Sequence, residues 1–537
     1  MAHAHARSVR TRFAVSFGRV TASASKVVLG LDIGTTSAKA VAFDPSGATH
    51  GAAECGYPLL EPEHGHAEQD PERVLDAAEE VLRGAAAAAR EGGAEIAGVS
   101  ISTAMHGLVG VGADGRPLTP VLTWADTRAA DEAERLRAEH PELHDRTGTP
   151  LHPMSPLPKL LWMRAHERET FDAVRRWDGL KELVLGRLTG EWAVDHSVAS
   201  GTGLLNLERL DWDPEALELA GLDADRLARL VPTTEVLALG ADAAGRVGLA
   251  EGTPVVAGGG DGPLANLGVG AVRPGVAACS IGTSGALRLM VERPAVDPRR
   301  RVFCYALVPE RWVVGGAINN GGVVLQWAGE ALAPDLGTGA DAAKALVKLA
   351  AEAPPGSAGL LMRPYLLSER APHWSPLPRG AYVGLTRHHR REHLVRAALE
   401  GVCHQLALVL ASMREAGNEV REIRATGGFA RSALWRQILA DALGVPIGFP
   451  AGHEGSAFGA ALLGMQALGL VESIDVAADL VRIDDVVEPD ADAAAVYAEA
   501  LPTFAQLYDA LEPAFGALQR LATHEPPEAD RPREDST

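Results

Sequence analysis

Cysteine is scarce in this chain. Its 537 residues include four, Cys55, Cys279, Cys304 and Cys403, scattered and without a CxxC pair. Neither a disulfide framework nor a zinc site is indicated, and a reduced, cytoplasmic setting is expected. Long apolar runs are missing too: none approaches the roughly 20 residues that span a bilayer, so no membrane partner is expected. Positive charge is short, with 50 Lys and Arg against 70 Asp and Glu and a formal net charge of -20. That balance argues against nucleic acid or an anionic membrane surface as partner. It leaves room for a phosphorylated ligand, because local backbone dipoles and a bound cation outweigh distant surface charge. There is also no GxxxxGK[ST] loop and no protein-kinase HRD/DFG set.

What remains is an ordinary globular composition, 47% apolar and 22% charged, on a chain longer than one hydrophobic core usually supports. Its two ends stand apart. Residues 1–25 hold Arg7, Arg10, Arg12 and Arg19, several serines and no acidic residue. They superficially resemble an organelle transit peptide, lack the apolar core of a secretory signal, and are expected to be a disordered or mis-started extension. Residues 523–537, rich in proline and charge, are expected to be a disordered tail.

Between the ends an internal echo organises the chain. Val27 to Ser37 runs as an apolar stretch into Asp-Ile-Gly-Thr-Thr-Ser, and Val276 to Gly285 runs into Ser-Ile-Gly-Thr-Ser-Gly. Each is followed by a strand-like segment, Ala38 to Phe43 and Ala286 to Val291. A strand, a Gly-Thr turn and a returning strand make a β-hairpin whose tip presents backbone N–H groups and hydroxyls. Either string alone is an ordinary turn; the pair predicts a duplicated α/β lobe. Elsewhere strands at Glu95 to Ser102, Thr253 to Ala257, Arg421 to Thr426 and Val445 to Phe449 interleave with helices. The helices fall at Pro71 to Ala89, Arg391 to Met413 and Ser432 to Leu443, then along a small-residue face through Ala457, Ala460, Ala461 and Gly464. The last, Ala493 to Leu521, is expected to break at Pro502 and Pro513. The lobes are expected to meet near residue 268, both hairpins facing the cleft between them.

Several strings offer chemistry in such a cleft. In Asp32 to Lys39, Gly34 permits a tight turn, and Thr35, Thr36 and Ser37 supply donors. Asp32 is placed to hold Mg2+ through water, and Lys39 either adds charge or is surface. Asp261 ends an apolar strand between Gly260 and Gly262, where α/β proteins bind ligands and a carboxylate can act as general base. It could equally cap the following helix. His106, in Ser102 to Gly107, can bond a polyol or be structural. Trp124 to Arg128 offers an aromatic platform with Asp126 and Arg128, or a core tryptophan with Asp126 as N-cap. Gly427 and Gly428 let the chain pass a flat ligand before a helix starts at about Ser432.

In order and separation these strings resemble the FGGY carbohydrate kinases, a branch of the actin/hexokinase/Hsp70-like ATPases, from about residue 26 to 521. The resemblance implies an α/β fold of two actin-like (ribonuclease H-like) lobes with an ATP and substrate cleft between them. Residues 26–268 would be the sugar-binding lobe with the catalytic base, and residues 269–522 the nucleotide-binding lobe. It makes Asp261 the base and, with Asp32, a metal contact. It makes Gly34, Thr35, Thr36, Ser37 and Lys39 one phosphate loop, and Gly282 and Thr283, within Ser280 to Ser284, the other. Gly427, Gly428 and Ser432 would form the adenosine loop, and Gly315 to Gly322, with Gly321, a further nucleotide-side segment. Ala371 to Pro376 and Arg379 to Leu385 match a signature of the second lobe.

Within the family the wording is closest to the gluconate-phosphorylating branch, through Thr103 to His106, Leu118 to Arg128, Thr147 to Lys159, Asp261 to Gly268 and Ala425 to Ser432. The segment Glu454 to Ala460 departs, with Gly455 where that branch more often has serine and Phe458 where it has a smaller aliphatic residue. The implied reaction is phosphorylation of the terminal hydroxyl of gluconate by ATP and Mg2+. Met105, His106, Trp124, Asp126, His152 and Asp261 are the implied sugar contacts. His106, His152, Lys159 and Arg128 are the candidates for the substrate carboxylate. The alternatives are a kinase for xylulose or another polyol on the same fold, and a catalytically silent sugar-binding regulator. A homodimer is left open.

Overall fold

The computed structural model describes residues 25–452 and 455–523. The expectations for the N-terminal extension before residue 25, the tail after residue 523 and Glu454 lie outside the described residues.

Two mixed sheets share one plan. In the first, Lys26–Ile33 is buried on both faces, as its unbroken apolar run requires. It pairs antiparallel with Ser37–Phe43 and parallel with Glu95–Thr103. Thr49–Gly56 extends one side antiparallel. Pro254–Gly260 extends the other side in parallel, and Val236–Ala238 closes that edge antiparallel. In the second sheet Val276–Ile281 takes the central place, antiparallel to Gly285–Val291 and parallel to Glu422–Thr426. Arg311–Ile318 lies beyond the hairpin, Ile447–Pro450 beyond the parallel strand, and Ile483–Val487 closes the edge antiparallel. Six strands therefore repeat in order and direction, with Phe303–Val308 added outside the second set. The duplication expected from the two Gly-Thr strings is a property of whole sheets.

Two helices join the sheets by backbone contact. Gly455–Ala467, from the second half of the chain, lies on the first sheet. A Cβ on Gly30 would sit 2.0 Å from the Ala457 carbonyl oxygen, and one on Gly464 2.7 Å from Ser100 Cβ. Asp261–Gly268 crosses this helix, where a Cβ on Gly459 would stand 2.0 Å from the Leu264 carbonyl oxygen and one on Gly268 2.0 Å from that of Gly455. Only glycine permits such approach. Phe458 is fully buried, its ring 5.0 Å from that of Phe43, so its extra volume fills the core behind the first hairpin.

Two expectations need correction. Arg391–Glu415 is long and apolar enough to cross a membrane by length and composition, with mean hydropathy 1.5, and 83% of that window is buried inside the protein. It packs against Gly322–Leu332, Gly339–Ala350 and Ala433–Leu443, which is why it is apolar all round. The last helix, Ala491–Thr523, runs through Pro502 and Pro513 without ending. Both prolines are exposed, as are Ala498 and Asp509 four residues before them, so the carbonyls deprived of an N–H partner are on the solvated side.

Gly459→Ala is expected to lower the melting temperature, since overpacking costs about 1–3 kcal/mol. Gly245→Ala, where a Cβ meets nothing within 4 Å, should be neutral or stabilising by about 0.4–1 kcal/mol. Thermal melts of the two variants check the crossing; equal shifts would contradict it.

Candidate active site

The two acidic candidates leave the first sheet at one edge. Asp32 lies near the end of Lys26–Ile33, opposite Ser102, and Asp261 follows Gly260, which is opposite Thr103. Both strands run parallel to Glu95–Thr103 between them, so the carboxylates flank its C-terminal end. The Ser102 hydroxyl donates to Asp32 Oδ1 at 2.6 Å. Just below, the buried Lys181 ammonium reaches the carbonyls of Ile101 and Ala257 at 2.6 Å each and Gly259 at 3.3 Å, fastening two of these strands. Burial pushes the Asp32 carboxyl up to about 7, and the neighbouring Asp261 adds to the rise, against the Ser102 bond, Lys39 and Lys181. Burial raises Asp261 too, opposed by Arg288, the Gly262 N–H and Arg370. Asp261 does not cap the helix: the N-cap is Gly260, and the carboxylate accepts from Gly262 N, at 2.7 Å, and from the Met105 backbone N–H. Two mutually repelling carboxylates with a hydroxyl beside them form a hard-oxygen donor set of the kind Mg2+ takes together with phosphates and water.

Side chains clamp the first hairpin tip from behind. Gly34 N donates to Ser37 O at 2.9 Å, and the Tyr57 hydroxyl lies 2.7 Å from Gly34 O and 3.0 Å from Ser37 O. Gln69 donates to the Thr35 carbonyl at 2.8 Å, and the Trp124 indole N–H to the Thr35 hydroxyl at 2.8 Å. Thr36 is exposed at the tip, and Lys39 stands across the hairpin from Asp32. In the second tip Gly282 N donates to Ser284 O at 2.9 Å, and the start of Gly322–Leu332 docks on it through Gly321 N to Thr283 O, 3.1 Å, and Gly322 N to Gly282 O, 2.7 Å. Gly427 has φ +115°, and a Cβ there would lie 2.2 Å from Ile281 O, whereas Gly428 faces open space. Ser432 caps Ala433–Leu443 by accepting from Trp435 N at 3.1 Å.

Between the tips lies a cavity of about 230 Å³. From the first lobe Thr35, Met105, His106, Trp124 and Asp261 reach it. Met105 packs so closely that a Cβ on Gly260 would be 2.6 Å from its sulfur. His106 has φ +69°, a strained conformation for a non-glycine residue. Its Nδ1 donates to Gly201 O at 2.7 Å, and burial lowers its pKa to about 3, so the ring is neutral. The second lobe contributes Arg288, Tyr305 and Arg370.

Other candidates stand outside the cavity. Asp126 is buried, accepts from Ala67 N at 2.9 Å and pairs with Arg128, which also reaches Glu68 at 2.5 Å. His152 is buried against Trp374, ring centroids 5.9 Å apart, with Nδ1 accepting from Met154 N. The Lys159 ammonium lies within 3.2 Å of the carbonyls of His106, Leu122, Thr123 and Met154. Burial lowers its pKa to about 7. Asp126, Arg128 and Lys159 thus hold the cavity wall. Sequence reasoning missed Ser102, Arg288, Tyr305 and Arg370. One signal was available: Arg288 shares a strand face with Ala286, two residues nearer the Gly-Thr turn.

Duplicated α/β lobes, paired Gly-Thr hairpins and a carboxylate pair in the cleft define a two-lobed phosphotransferase of the actin-like (ribonuclease H-like) class. Residues 27–268 match the N-terminal domain of the FGGY family of carbohydrate kinases and residues 277–468 its C-terminal domain. Gluconokinase of Bacillus subtilis (strain 168) is 41% identical over 496 residues, 90% of this chain and 96% of its own. Xylulose kinase of Escherichia coli (strain K12) is 32% identical over 489 residues, 90% of this chain and 99% of its own. The crystal structure of gluconate kinase from Lactobacillus acidophilus has a TM-score of 0.87 at 33% identity, covering 92% of this chain and 100% of its own. The chain belongs to the FGGY family of carbohydrate kinases and is an enzyme that transfers phosphate to an alcohol group.

A carboxyl raised from 3.8 to about 7 keeps a proton in the folded state that the unfolded state loses, so stability falls as pH rises through that window. Asp32→Asn removes this loss. In metal-free buffer its melting temperature should exceed that of the wild type by a few degrees at pH 8, the gap shrinking toward pH 5. A variant melting below wild type at pH 8 would refute this account of Asp32.

Proposed function

We propose that this kinase uses ATP and Mg2+ to phosphorylate the terminal hydroxyl of D-gluconate, giving 6-phosphogluconate and ADP. The choice of gluconate is carried by relatedness: over nearly the same span the chain is 41% identical to a gluconokinase and 32% to a xylulose kinase. The four cysteines are free, which supports a reduced, cytoplasmic setting.

In this reading Asp261 takes the proton from the acceptor hydroxyl as its oxygen attacks the γ-phosphorus. Asp32, with Asp261 beside it, would hold the Mg2+, whose charge offsets that on the phosphate oxygens. Thr35, Thr36 and Ser37, with Lys39 nearby, face the phosphates from one lobe, and Gly282 and Thr283 from the other. Gly427 and Gly428 leave room for adenosine beside Gly321, and Ser432 fixes the helix behind it. Met105, neutral His106 and Trp124 contact the sugar, while Asp126 and His152 support the walls around it. The lobes divide near residue 268, and closing them excludes water that would otherwise accept the phosphoryl group.

Asp261→Asn should melt close to wild type and lose kcat by roughly 10²–10⁴-fold, the range for removing a general base. In the wild type kcat/KM should fall as acid protonates Asp261, with the limb lying above the ordinary aspartate range because burial raises that carboxyl. An ADP-release assay across gluconate, xylulose, ribulose and glycerol checks the substrate. Near-full activity of the variant would overturn the base assignment, and faster turnover of a neutral acceptor would overturn gluconate.

A further inference from the structure

We infer that Arg288 and Arg370 form a subsite for the carboxylate of the acceptor, which makes the acceptor class sugar acids rather than neutral polyols. The inference rests on the gluconate reading above and supplies the recognition that reading lacks.

A carboxylate entering this cavity needs a cation or several donors, because an unpaired charge removed from water is costly. The cations expected to serve are unsuited. Lys159 is engaged by four carbonyls, Arg128 by Asp126 and Glu68, and His106 is neutral. His152 does not reach the cavity.

The second lobe provides two guanidinium groups instead. Arg288 is in Gly285–Val291, where strand alternation puts it on the cavity face with Ala286. It lies four residues past Ser284, about 13 Å of strand beyond the phosphate turn. Its Nε would be 3.2 Å from a Cβ on Gly262, so the group is lodged against the start of the helix that carries Asp261. Among the described residues Arg288 makes no side-chain hydrogen bond and no ion pair within 4.0 Å.

Arg370 is 9% exposed and lies over the Trp124 ring at 4.7 Å. Among the described residues its side chain donates once, to Ile318 O at 3.2 Å, and its Nε is buried without a partner. The adjacent Glu369 attracts Arg370 without a side-chain ion pair within 4.0 Å among the described residues: that carboxylate accepts from Asn319 N, Asn320 Nδ2 and Arg370 N. The two cations repel one another, Asp261 attracts both and Glu369 attracts Arg370, and they border one cavity with donors that take no hydrogen bond among the described residues. A guanidinium remains charged at working pH and offers a planar fork that fits a carboxylate with two bonds. An anion between the two would satisfy donors and charge together.

A transferring phosphoryl group has similar chemistry, so the test separates the two anions. Full-length wild type, Arg288→Met, Arg288→Lys and Arg370→Met are assayed with D-gluconate and with its uncharged analogue D-glucitol, and KM for ATP is measured for each. The expected result is a loss of gluconate kcat/KM of about 10²-fold in the methionine variants, mostly through KM. The gluconate-to-glucitol ratio should fall by a similar factor, with partial recovery in Arg288→Lys. Calorimetric binding of gluconate without ATP should weaken in parallel, which gives a readout free of turnover. Equal losses on both acceptors, or a raised KM for ATP with gluconate binding intact, would overturn the inference and assign the arginines to phosphate. Wild-type preference for a neutral acceptor would overturn the gluconate reading itself. Preference for gluconate that survives in folded variants would sink this inference alone.

Discussion

The crossing of Asp261–Gly268 with Gly455–Ala467 is the constraint on which the rest of the molecule depends. Glycine at 268 and 459 brings backbone against backbone, so each lobe lends a helix to the other. The catalytic candidate is the first residue of one of these helices, and Ser456, in the first turn of the other, donates to its carbonyl at 3.1 Å. Asp261 is therefore fixed to the junction as well as to the sheet edge.

The cleft concentrates charge that the rest of the chain keeps at the surface, and its lysines show how. Lys181 and Lys159 are both wholly buried, and both direct their ammonium groups at main-chain carbonyls. Lys181 ties the strands beneath the two aspartates, and Lys159 ties the loops that present His106 and Trp124. These are structural uses of charge, since carbonyl oxygens take up the donors that a ligand would otherwise need. Substitution of either would leave several carbonyls unpaired next to the site, which separates them from Arg288, whose side chain makes no hydrogen bond among the described residues.

How legible this was depended on range along the chain. The hairpin tips, Asp261 at a strand end and the glycine at 427 could be read because each rests on local rules: turn chemistry, strand polarity and a backbone conformation only glycine takes readily. The duplicated order of strands followed from the repeat of one short string. What escaped was set by distant partners. Lys159 and Arg128 look like free cations until the carbonyls of residues 106, 122 and 123 and the carboxylate of Glu68 come beside them. Arg370 sits just before the signature at Ala371 and gave no local sign of reaching Trp124. The uninterrupted Ala491–Thr523 differs from expectation because solvent exposure of its prolines overrides the local pattern.

The two hairpins are copies in geometry but not in charge. Asp32 in the first corresponds to Ser280 in the second, and in each sheet the residue faces a hydroxyl on the adjacent parallel strand, Ser102 and Thr426. Asp32 already carries a raised pKa beside Asp261. A third carboxylate at the second tip would add repulsion toward both, and toward any polyphosphate held between the tips, at a separation where desolvation strengthens it. Serine preserves the turn and a donor without that charge. The duplication thus supplies two phosphate-shaped tips, while the asymmetry between Asp32 and Ser280 confines the acidic pair to one lobe and leaves the facing lobe to present arginine.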